Sequence, residues 1–101
     1  MDLEYLKDHI CEEIDGAKDY AIKAIELKPM AANWAKILID MANMELSHAT
    51  SLYKMFVEYY QKIAGSFNET PQYVEEMHKE VVKCYSHGST EDKLLIEMYS
   101  K

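Results

Sequence analysis

Glu45 and His48 stand three residues apart, a spacing that puts both on one face of a helix. There, a carboxylate oxygen and a neutral imidazole nitrogen can reach a single ion. The two sit in the middle of an otherwise apolar stripe. Trp34, Leu38, Met41, Glu45, His48, Leu52, Met55 and Tyr59 follow one another in steps of 4, 3, 4, 3, 4, 3 and 4. Upstream, Leu6, Ile10, Glu13, Ala17, Tyr20, Ala24 and Leu27 form a second such stripe, interrupted by the single acid Glu13. Neither stripe contains a Lys or Arg. A buried carboxylate without a counter-charge is costly, and a divalent metal would supply that charge. Carboxylate-rich donors with one imidazole suit iron or manganese, whereas more thiolate or imidazole would favour zinc or copper. The Glu-x-x-His spacing alone is weak, since Glu75 and His78 repeat it. The matched Glu13 and the flanking heptads give it weight.

These residues need long helices to hold them, and the composition provides for that. The 101 residues include 3 Gly and 2 Pro and are rich in Ala, Leu, Ile, Met, Glu and Lys. They read as one all-α domain, 1–101, made of a metal-binding hairpin (1–64) and two short C-terminal helices (65–101). The first helix is expected from Asp2 to Lys28, with Asp2 as its cap. Pro29 breaks the chain. A second helix is expected from Met30 or Ala31 to Ala64, ended by Gly65-Ser66-Phe67-Asn68. Pro71 starts a third, to about Ser86, and His87-Gly88-Ser89-Thr90 separates it from a last one ending near Tyr99. Glu13 precedes Pro29 by 16 residues and Glu45 follows it by 16. In an antiparallel hairpin both then lie about 24 Å from the turn, so Glu13, Glu45 and His48 should converge.

The formal charge of −7 argues against nucleic acid, which needs clustered cations. No apolar run approaches a membrane span, and Met1-Asp2-Leu3-Glu4 is charged and helix-like rather than a leader. Cys11 and Cys84 form no CxxC pair and no evident disulfide framework, so the expected location is cytoplasmic. Trp34 is expected as a core or dimer-interface anchor, and Ala42 and Ala49 as points of close helix approach.

A Glu on one helix and Glu-x-x-His on the next resembles half of the donor set of the ferritin-like di-iron carboxylate superfamily. Tyr20, seven residues after Glu13, and the stretch Glu12-Glu13-Ile14-Asp15-Gly16-Ala17-Lys18-Asp19-Tyr20 are similar to the first helix of rubrerythrins and ferritins. The resemblance covers residues 3–64. It implies a four-helix bundle formed by two hairpins about a two-fold axis, similar to the half-length encapsulated ferritins, although the tail lacks a capsid-addressing peptide. It further implies a non-haem di-iron ferroxidase, with manganese as the other candidate metal. Glu13, Glu45 and His48 from each subunit would be ligands, and Tyr20 a hydrogen-bonding or electron-donating neighbour. The partners implied are a second copy of the chain, Fe(II), and dioxygen or peroxide. The competing reading is a metal-free helical assembly module whose polar seam residues set oligomer register.

Overall fold

The structure, a computed structural model, describes residues 2–66 and 68–101. Met1, and Phe67 in the expected turn after the second helix, lie outside them. The chain forms α1 (Leu3–Leu27), α2 (Ala32–Ser66) and α3 (Gln72–Ser100), with no strand among the described residues. Asp2 caps α1, its side chain accepting the Tyr5 backbone N–H at 2.9 Å. Pro29 has no N–H to continue the helix, and the chain turns through 28–30. None of the three helices is long and apolar enough to cross a membrane.

Helix α1 is central, packing on both others, while α2 and α3 touch each other less. The α1–α2 hairpin is antiparallel, as the tight turn requires. Helix α3 runs parallel to α1 in constant register. Cys11 meets Cys84, 73 residues on, and the ion pairs Lys7–Glu80 (3.3 Å) and Lys18–Glu91 (2.8 Å) repeat that offset. At the far end the Lys28 ammonium donates to the Tyr99 carbonyl and lies 4.6 Å from the Tyr99 ring centroid. The result is an up-down-up three-helix bundle of 57 × 20 × 15 Å.

The core joins Leu6, Ile10 and Ile14 of α1 to Leu46, Ala49 and Phe56 of α2 and Val74 and Val81 of α3. Ala21, Ala24, Ile39 and Ala42 continue it towards the Pro29 turn. Ala42 and Ala49 are fully buried, in keeping with their expected role in close approach. The inward stripe of α2, however, is Ala35, Ile39, Ala42, Leu46, Ala49 and Phe56, one residue on from the heptad seam. Helix α2 carries two adjacent apolar stripes. The alanine-rich one allows the tighter fit to α1 and takes the core. The larger residues stay on the flank, with Trp34 62%, Met55 42% and Tyr59 40% exposed.

Two further expectations are corrected. The two short C-terminal helices are a single 29-residue helix, α3. Gly88 does not break it, because its missing Cβ lets α3 press against Ile14, where a side chain would overlap Ile14 Cγ2. Thr90 caps nothing, its hydroxyl donating back to the Ser86 carbonyl at 2.8 Å. The subunit is therefore a three-helix bundle rather than a bare hairpin with a short tail. Cys11 and Cys84 are also joined by a disulfide across α1 and α3, their Cα atoms 5.9 Å apart. Helix register makes this pairing, and no spacing rule in the sequence announces it. The cytoplasmic assignment, which rested on unpaired cysteines, loses that support.

Candidate metal centre

Helix α1 supplies Glu13 and helix α2 supplies Glu45 and His48. Each offers one ligand atom within 4.8 Å of those offered by the other two. Two bonds of about 2.1 Å to a shared ion span at most about 4.2 Å, so small rotamer changes would bring all three onto one metal. The convergence expected from distance to Pro29 is present, with one adjustment. Glu13 is level with His48, its Oε2 3.6 Å from Nδ1, and Glu45 is level with Gly16.

Three features describe the surroundings of this cluster. Glu13 Oε2 is shielded from solvent and has no hydrogen-bond partner, since 3.6 Å is too long for a bond to His48. Gly16 makes room for the Glu45 carboxylate, because a Cβ there would lie 3.2 Å from Glu45 Oε2. The Glu45 carboxyl is pushed above the usual carboxylate range. The adjacent Glu13 carboxyl contributes most, followed by burial, with His48 opposing. Two carboxylates this close repel one another, and a cation between them would relieve that repulsion. No Lys or Arg is paired with either carboxylate among the described residues.

The site opens to solvent. Tyr5, His9, Glu13, His48, Ser51 and Leu52 line a shallow cleft of about 370 Å³, and the His48 side chain is 57% exposed. Glu12 is exposed and lies beside His9, its Oε2 3.6 Å from Nδ1.

Tyr20 is half-buried and packs against the Ala21–Ala24–Ile39–Ala42 cluster, about 10 Å of helix from Glu13. The second Glu-x-x-His lies elsewhere. Glu75 accepts a hydrogen bond from the Tyr60 hydroxyl at 2.7 Å, and His78 stacks on Tyr60 with centroids 4.1 Å apart. Sequence reasoning gave Gly16 no role, although a glycine inside a helical pattern is a signal of close approach. Asp92, which carried no expected role, is 1% exposed on the inner face of α3.

Compared with known proteins, the chain matches no family model, no curated sequence and no solved structure.

Proposed function

We propose that this protein is an iron-binding oxidase of the ferritin-like kind, a ferroxidase whose two metals are shared by two subunits related by a two-fold axis. The observation that carries the reading is the convergence of Glu13, Glu45 and His48, two crowded carboxyls and an imidazole with no basic partner. One subunit offers three donors, too few to enclose two ions, so a second copy would bring the other three. In this arrangement Glu13 and Glu45 would hold the metal through carboxylate oxygens and His48 through an imidazole nitrogen. Hard oxygen donors favour iron or manganese over copper, and they favour the ferric over the ferrous state. Iron held there would supply one electron per Fe(II) to an oxidant such as peroxide, the protons coming from water.

The residues around the site would support that chemistry. Gly16 leaves Glu45 free to take up its position, and the cleft past His9 and Ser51 gives cations and oxidant a way in. Because the Glu45 carboxyl is held above the usual carboxylate range, its proton would have to leave on metal loading, so metal binding should tighten as pH rises.

Fe(II) oxidation followed by absorbance tests the proposal. The wild-type chain should oxidise Fe(II) faster than buffer alone, and Glu45→Ala should abolish the gain while remaining folded. Unchanged kinetics in Glu45→Ala would remove this cluster from the chemistry. A chain that binds no metal would leave the assembly-module reading.

A further inference from the structure

Helix α2 keeps a second apolar stripe that its own chain covers only in part: Leu38 and Leu52 pack against the edge of the core, while Trp34, His48, Met55 and Tyr59 are exposed. All eight of its residues retain exposed surface. Between Trp34 and Tyr59 the only charged member is Glu45, while Lys36, Asp40, Lys54 and Glu58 all lie off it. The polar pair Glu45–His48 stands at the midpoint, with three apolar residues on either side. Such a stripe is its own complement when turned end for end.

We infer that the outer stripe of α2 is the homodimer interface. Two copies of α2 would pack antiparallel about a two-fold axis at the level of residues 46 and 47. This rests on the reading of a two-fold dimer given above and specifies its surface and register. The axis sets Glu45 against the partner's His48, and His48 against the partner's Glu45. Moving outward, Met41 meets the partner's Leu52, and Leu38 meets the partner's Met55. Trp34 closes the end against the partner's Tyr59. Each carboxylate faces an imidazole and each apolar residue an apolar one. In the metal-free chain a parallel pairing would instead stack the two Glu45 carboxylates, with no Lys or Arg on the stripe to offset them. Because Glu13 and His48 are level within one subunit, the same axis gathers both subunits' Glu13, Glu45 and His48 at one height.

Pulsed electron–electron dipolar spectroscopy tests the register, with single nitroxides at Asn33→Cys, Ser47→Cys and Gln61→Cys, all exposed positions, on the disulfide-intact chain. The samples are measured metal-free and with diamagnetic Zn(II). Antiparallel packing centred at 46–47 predicts a short separation, about 20 Å, from the label at 47. The labels at 33 and 61 should each give about 40 Å, from twice their distance along the helix at 1.5 Å per residue. Short separations from all three labels would show parallel pairing and overturn the inference. So would unequal separations at 33 and 61, which would place the axis elsewhere, or no coupling in either sample. Calorimetry with Zn(II) on the same samples separates the two readings. Zinc bound without this register overturns the interface and leaves the metal site standing. The register without zinc binding does the reverse.

Discussion

Asp92 is buried on α3 with neither carboxylate oxygen hydrogen-bonded. Burial pushes its carboxyl up to about 7, Glu91, Asp15 and Asp19 add repulsion, and Lys18 opposes. In the unfolded chain the group returns to about 3.8. Between those values the folded chain holds a proton that the unfolded chain has lost. Its contribution to stability is therefore full below about pH 4 and is lost as pH rises towards 7. Asp92→Asn, neutral at every pH, should raise the melting temperature at pH 8 by several degrees and change it little at pH 4. Equal shifts at both pH values in thermal unfolding would contradict this account. The convergence of Glu13, Glu45 and His48 was legible because spacing carried it. The burial of Asp92 was hidden, because Thr90-Glu91-Asp92 reads locally as a helix start and only the packing of α3 on α1 buries the residue.

The continuity of α3 depends on one close contact between elements. Gly88→Ala would push Ile14 out of place and should cost about 1–3 kcal/mol. Gly65→Ala, which meets nothing within 4 Å, should be neutral or slightly stabilising because alanine favours helix. Denaturant unfolding of the two variants compares them directly, and equal effects would show that the Gly88 contact is unimportant. The disulfide adds to the same α1–α3 seam, closing a long loop worth about 4 kcal/mol by chain entropy. The α1–α2 hairpin was legible because Pro29 is a local breaker and the heptads are long. Which stripe of α2 faces α1 was not, since two adjacent stripes share the same period and only side-chain volume selects the alanine-rich one. The seam read from periodicity is real, but it lies on the outer flank of the subunit.

At the scale of the whole molecule, a slender bundle with formal charge −7 presents one long apolar stripe with a paired acid and histidine at its centre. A negative protein attracts cations, and the proposed dimer would bring its apolar stripe together at the same place. The account joins these in one claim, that Glu13, Glu45 and His48 hold iron. Iron analysis of protein purified from iron-supplied cells tests it most directly, comparing wild type with His48→Ala and His78→Ala. The account predicts about one iron per chain in wild type and in His78→Ala, from two metals per dimer, and a clear loss in His48→Ala. An iron-free wild type, or iron retained in His48→Ala but lost in His78→Ala, would contradict it.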